Sequence, residues 1–173
     1  VREIGLSNDT AWGTATCLEL AEAHALPRVV SIQNEYSLLH RLFDLDLAEL
    51  SHHEDVGLLA YSPLAAGLLT GKYEAGIIPP GSRASINAGL GGRRSLHSEP
   101  AVSAYISLAR DHDLDPAQMA LAWLETRPFM GSIIFGATTM EQLQTNLGGA
   151  DITLSNEVIA GIEAVHRRFP MPL

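Results

Sequence analysis

Polar and small residues gather where the apolar runs of this chain end. Ser7-Asn8 follows Arg2 to Leu6, and Gln33-Asn34-Glu35 ends the run that begins at Val29. Tyr61-Ser62-Pro63 closes Val56 to Tyr61, and Gly136-Ala137-Thr138 follows Ser132 to Phe135. Amides and hydroxyls both donate and accept hydrogen bonds, so such a set suits a ligand that presents both kinds of group. Other residue types offer less. Lys72 is the only lysine and stands in Gly71-Lys72-Tyr73, so no buried Asp–Lys pair can be built from strand residues. His52-His53-Glu54-Asp55 invites a metal reading, but adjacent helical residues point about 100° apart and cannot easily share one ion. The two histidines read instead as complements to a helix C-terminus, and no metal site is expected. Cys17, between apolar neighbours, is expected to be an inert packed thiol.

The elements that position these residues alternate in type. Strands are expected at Arg2 to Leu6, Val29 to Gln33, Val56 to Tyr61 and Ser132 to Phe135. Helices are expected at Ala11 to His24, Phe43 to His52, Glu99 to Asp111, Pro116 to Thr126, Thr139 to Leu147 and from Ser155 to about Arg168. Asp9 and Thr10 can cap the first helix, and Asp115-Pro116 pairs an acidic cap with proline at the first helical position. Leu64 to His97 reads as a long irregular segment, of the kind that forms lids or binding loops. The order βαβαβ(loop)ααβαα calls for a parallel α/β sheet, with ligands at the C-terminal strand ends. Four βα units make half of an eight-stranded barrel and leave two open edges. Trp12, Trp123 and Phe135 are expected to pack in the core.

Composition narrows the partners. The chain has 173 residues, 46% hydrophobic and 18% charged, and its net charge of -9 disfavours polyanionic partners, so no nucleic acid and no membrane surface is expected. No apolar run reaches the roughly 20 residues that span a bilayer. One cysteine and no signal-like start suggest the cytoplasm. Val1 reads as an interruption of a longer chain.

Six segments stand in one order at barrel-like spacing: Ile4-Gly5-Leu6-Ser7-Asn8, Ile32 to Tyr36, Ala60 to Leu64, Leu68 to Tyr73, Phe135 to Thr138 and Met140 to Asn146. Together they resemble the last four strand ends of the aldo/keto reductase family, in its bacterial Tas-like branch. The resemblance implies the C-terminal half of a (β/α)8 TIM barrel. Residues 1–173 would be one partial domain holding strands five to eight, with a long loop after its third strand. It also implies NADPH as cofactor and a small-molecule aldehyde or ketone as substrate. Ser7, Asn8 and Gln33 would bond the nicotinamide carboxamide, and Tyr61 would stack on the ring. Ser62, Pro63, Leu64, Ala65 and Gly67 would wrap the pyrophosphate. Lys72 and Arg83 would meet phosphate charge, Arg83 being the candidate for the 2′-phosphate. Gly136, Thr138, Gln142 and Asn146 would receive the adenosine end at a helix start. Thr145 stands where many relatives have glutamate, which loosens the expected grip on adenine. The family's Asp, Tyr, Lys and His tetrad lies on the first four strands, so none of its positions falls in this chain.

Each assignment has a structural counterpart. Ser7-Asn8 and Thr138 to Gln142 can serve as helix caps. Tyr61 can be a plain strand-end aromatic. Arg93 is expected to be a solvated surface residue, and Arg94 is left open because relatives have a basic residue nearby. Two functions follow: an NADPH-dependent carbonyl reductase completed by an N-terminal half, or a non-catalytic dinucleotide-binding or regulatory half-barrel paired with a second copy. An unrelated phosphate-binding barrel is the remaining alternative.

Overall fold

The computed structural model describes residues 1–173. Four parallel strands, β1 (Ile4–Ser7), β2 (Val29–Glu35), β3 (Gly57–Tyr61) and β4 (Met130–Ile134), pair in chain order as one open sheet. Helices α1 (Ala11–Ala23), α2 (Leu47–Glu54), α4 (Ser98–Asp111), α5 (Pro116–Glu125), α6 (Met140–Gly148) and α7 (Asn156–Arg168) flank it. A single-turn helix, α3 (Arg83–Ile86), lies in the long connection after β3. An open, four-stranded, all-parallel sheet with its flanking helices fits half of an eight-stranded barrel.

The two faces of the sheet are buried unequally. Ile32, Leu58 and Ala60 face the helices and are fully buried. The opposite face carries Ser7, Gln33 and Leu59, which lie side by side in register, with Tyr61 two residues further on. Those four are only partly buried or exposed.

The core between sheet and helices is aromatic. Tyr36 stacks on Trp123 with centroids 5.6 Å apart, and Phe43 meets Phe129 at 4.9 Å. Arg41 and Arg127 lie against the Trp123 ring at 4.8 and 5.3 Å. Asp44 binds this group together. It accepts from the Tyr36 hydroxyl at 2.5 Å and from Arg41 Nε at 2.7 Å, with Arg127 at 3.5 Å. Arg41 also reaches Glu163 on α7 at 3.0 Å. Burial works against the Arg41 charge, but its bonds to Asp44 and Glu163 outweigh it and hold the guanidinium above its ordinary range. Burial, followed by the Asp44 charge, pushes the Tyr36 phenol far up.

This network moves a helix boundary. The expected helix from Phe43 begins at Leu47, because Asp44 turns inward at the end of a 3-10 turn, Leu42–Asp44. β4 begins at Met130 and not at Ser132, its first residue pairing with Leu58. Trp12 is also corrected: it is 79% exposed. The buried side of α1 is Thr14, Leu18 and Ala21, and Trp12 sits two residues, about 200°, away from Thr14. Trp123 and Phe135 do pack, the first fully buried and the second against the core. Asp115 caps α5, accepting from Ala117 and Gln118 at 2.8 and 3.0 Å ahead of Pro116.

His166 on α7 lies beside the same network, and its Nδ1 is buried without a hydrogen-bond partner. Burial, then the Arg41 charge, lowers its pKa. The unfolded chain takes up a proton at this site below about pH 6.5, whereas the folded state resists it. Stability is therefore expected to fall as pH drops below that value, until the folded imidazole also protonates. Denaturant midpoints measured from pH 7.5 to 5 should show this slope, and His166→Gln should flatten it. An unchanged slope in the variant would discard the assignment.

Candidate functional site at the strand ends

The C-terminal ends of β1, β2 and β3 bring the first expected cluster together. The Asn8 backbone N–H donates to the Gln33 carbonyl at 3.0 Å, which extends the β1–β2 ladder by one step. Asn8 sits at φ 54°, a left-handed conformation that asparagine tolerates better than most residues. Its side chain is largely engaged: Oδ1 accepts from the Tyr61 hydroxyl at 2.8 Å, and Nδ2 donates to Ser7 Oγ at 3.2 Å. Asn8 thus braces Tyr61, while Ser7 and Gln33 remain the polar groups of the concave face.

Beyond Tyr61 the chain makes a tight, left-handed passage. Ser62, Ala65, Ala66 and Gly67 all have positive φ. At Gly67 the backbone itself favours glycine. Its φ is +94°, and a Cβ there would stand 2.9 Å from Lys72 Cε and Nζ. The Lys72 ammonium therefore rests on the Ser62–Gly67 loop, 5.1 Å from the Tyr73 ring centroid. Six arginines pair with carboxylates: Arg28, Arg41, Arg93, Arg94, Arg110 and Arg127. Lys72 and Arg83 are not among them. Arg83 is exposed on α3, and that short helix is fastened where the Ala84 N–H donates to the Tyr73 hydroxyl at 3.3 Å.

The third group lies beside β4. Tyr61 and Ile134 are register partners, so the Ser62 and Gly136 loops leave the sheet side by side. Gly136 has open space about it. Thr139 caps α6 by accepting from the Gln142 N–H at 3.2 Å, and Gln142 Oε1 accepts from the Thr138 N–H and hydroxyl at 3.0 Å each. Gln142 therefore shapes the loop and keeps only its Nε2 for another partner. Asn146, one turn further, is buried and lines a cleft of about 310 Å³ between α5, β4 and α6. The Thr145 carbonyl accepts from Gln118 at 3.0 Å, anchoring α6 to α5. No side-chain hydrogen bond joins Arg83 to the Thr138–Gln142 loop.

Arg93 is a positioning residue that sequence reasoning placed in solvent. It grips Glu35 at the end of β2 through Nε at 2.7 Å and NH2 at 2.6 Å. The Glu35 bond holds its guanidinium above the ordinary range against the opposing effect of burial. This pair straps the long connection onto the sheet, and Arg110 on Glu74 at 2.5 Å ties its first part to α4. The connection itself is a series of short turns, with 3-10 segments at Ala65–Thr70, Glu74–Gly76 and Leu90–Gly92. Arg94 meets Glu99 at 3.8 Å. His52 and His53 stand 5.3 Å apart at the end of α2, and no group of three metal-ligating side chains forms around them. Cys17 is partly buried against the core. No helix is long and apolar enough to cross a membrane.

A parallel α/β sheet with a polar cluster, an uncommitted lysine and a capped helix at its strand ends has its candidate site where α/β folds bind ligands. The chain belongs to the aldo/keto reductase family, whose sequence profile matches residues 1–167. It is 49% identical to "Protein tas" of Escherichia coli (strain K12) over 172 residues, which is 99% of this chain and 50% of that protein. It is 34% identical to an "Aldo-keto reductase" of Babesia bovis, over 85% of the chain and 54% of the relative. A "Probable voltage-gated potassium channel subunit beta" of Arabidopsis thaliana is 34% identical over 92% of the chain and 49% of its own length. The chain spans about half the length of the curated relatives it matches.

Proposed function

We propose that the protein carrying this segment is an NADPH-dependent oxidoreductase that reduces aldehydes or ketones to alcohols. This segment supplies strands five to eight of its barrel and the cofactor site. The observation that carries the reading is the convergence of Ser7, Gln33 and Tyr61 on one face of the sheet, with Lys72 seated on the adjoining Gly67 loop.

The residues present fit a nicotinamide dinucleotide phosphate. Ser7 and Gln33 offer the mixed donors and acceptors that a carboxamide needs. Tyr61, held by Asn8, offers an aromatic surface with a fixed orientation. Lys72 and Arg83 are cations uncommitted to carboxylates, as phosphate partners must be. The bound cofactor supplies the hydride. The chain's own task is to orient one ring face, to neutralise phosphate and, through the Arg93–Glu35 strap, to keep the covering loop in place. The proton for the carbonyl oxygen comes from the family's tetrad, which this reading puts on the other half. The channel-subunit name of the Arabidopsis relative favours one second reading, a regulatory module with the same cofactor site.

Titration with NADPH and NADH, followed by nicotinamide fluorescence, tests the proposal. NADPH is expected to bind about ten- to a hundredfold more tightly, the effect of one or two charge-assisted bonds to the 2′-phosphate. Arg83→Ala should remove that difference. No binding of either dinucleotide would overturn the reading.

A further inference from the structure

The turn that leads into α4 is built more firmly than the segment before it. Ser98, the first residue of α4, is fully buried. Its hydroxyl donates to the Arg93 carbonyl at 2.7 Å and accepts from the Ser95 N–H at 2.9 Å. The Gly92 and Arg94 N–H groups both donate to the Gly89 carbonyl, at 2.9 and 3.2 Å. Leu90 is buried in the core at φ 50°, a left-handed conformation that strains a leucine. Such strain persists only where the surroundings fix the backbone, and here they fix Arg93. Arg93 NH1 donates back to the Leu90 carbonyl at 3.3 Å, while Nε and NH2 are aimed at Glu35. Glu35 is the register partner of Tyr61. Residues 89–98 thus form a clasp that closes on the strand ends beside the tyrosine.

Residues 75–89, ahead of the clasp, are held lightly. Ala84 alone among them is buried. Their backbone bonds stay within residues 74–94, apart from the one that the Ala84 N–H donates to the Tyr73 hydroxyl. Ile77, Ile78 and Ile86 are exposed on this segment, as is Arg83. At its start, Glu74 is tied to Arg110 through side chains 30% and 58% exposed, a pairing that solvent screens. The Arg93–Glu35 pair is bidentate, and neither side chain is more than 20% exposed. The firm polar attachment of this segment to the sheet is therefore the clasp.

We propose that residues 75–89 form a lid at the strand ends, and that Ser98 is a positioning residue that locks the lid by aiming Arg93 at Glu35. For what the lid retains, the proposal rests on the cofactor reading: with Arg83 on the lid, the lock sets how fast a dinucleotide leaves.

Hydrogen exchange of the dinucleotide-free protein and stopped-flow release of NADPH test this in Glu35→Gln, Arg93→Met, Ser98→Ala and the Ser98→Ala/Arg93→Met double variant. Amides 75–89 are expected to exchange about tenfold faster in Glu35→Gln and Arg93→Met, from loss of a bidentate charge-assisted pair, while the strands keep their protection. NADPH release should rise by a similar factor. Ser98→Ala should give a smaller rise, and no further rise in the Arg93→Met background, because it acts through Arg93. A serine with a merely structural role would add its effect in both backgrounds. Unchanged exchange at 75–89, faster exchange without faster release, or an additive Ser98→Ala would each overturn the proposal. Absence of NADPH binding in every form, the unaltered protein included, would instead overturn the cofactor reading, and the exchange rates would then decide the clasp by themselves.

Discussion

Asp44→Ala is expected to destabilise the fold by about 3–5 kcal/mol, the loss typical of removing one partner from a buried ion pair. Asp44 is the common acceptor of Tyr36 and Arg41 and the nearest carboxylate to Arg127. Its removal leaves the buried Arg41 with only Glu163, and leaves the Tyr36 hydroxyl with no acceptor. The Tyr36 ring is stacked on Trp123, so a shift of either residue disturbs the aromatic centre of the core. Urea unfolding should show a lower midpoint with an unchanged slope. Glu163→Ala is the control, because Glu163 is more exposed and Asp44 still holds Arg41. A loss for Asp44→Ala of no more than about 1 kcal/mol, equal to the control, would refute the hub.

Lys72→Met is expected to weaken NADPH binding by about ten- to a hundredfold, as loss of a charge-assisted contact of about 1.5–3 kcal/mol requires. The ammonium is the one cation seated directly on the left-handed Ser62–Gly67 passage. Methionine preserves most of the side chain's length and removes the charge. Lys72→Arg should restore most of the affinity. The salt dependence of binding should also become shallower in Lys72→Met, because fewer charges are neutralised. Unchanged affinity and salt dependence would remove Lys72 from the site.

Much of this architecture was legible in local chemistry. Asp115-Pro116 announces a helix start in any context, and it caps α5 as read. The polar strand ends are expected to share one face because parallel strands end together, and Ser7 and Gln33 are register partners. What escaped depended on distance along the chain. Arg93 looks like any loop arginine until Glu35, far back in sequence, is brought against it. Phe43 and Asp44 fit a helical pattern, yet Asp44 is drawn inward by Tyr36 and Arg41. Trp12 has the composition of a core residue, but the rotation of α1 is set by Thr14, Leu18 and Ala21. Gly131 carries no side chain to extend the strand pattern, so the early start of β4 had no signal.

The sheet's pairing in chain order also sets a sequence of assembly. Residues 8–28 link β1 to β2 and residues 36–56 link β2 to β3, whereas residues 62–129 separate β3 from β4. A loop roughly three times as long costs about 1 kcal/mol more entropy to close. β4 is therefore expected to join last, onto a ribbon formed by the first three strands. Because β4 leads into the Gly136 loop, that loop is expected to settle after the Ser7–Gln33 face. A nucleotide held at both ends would act as a clamp on the latest folding step.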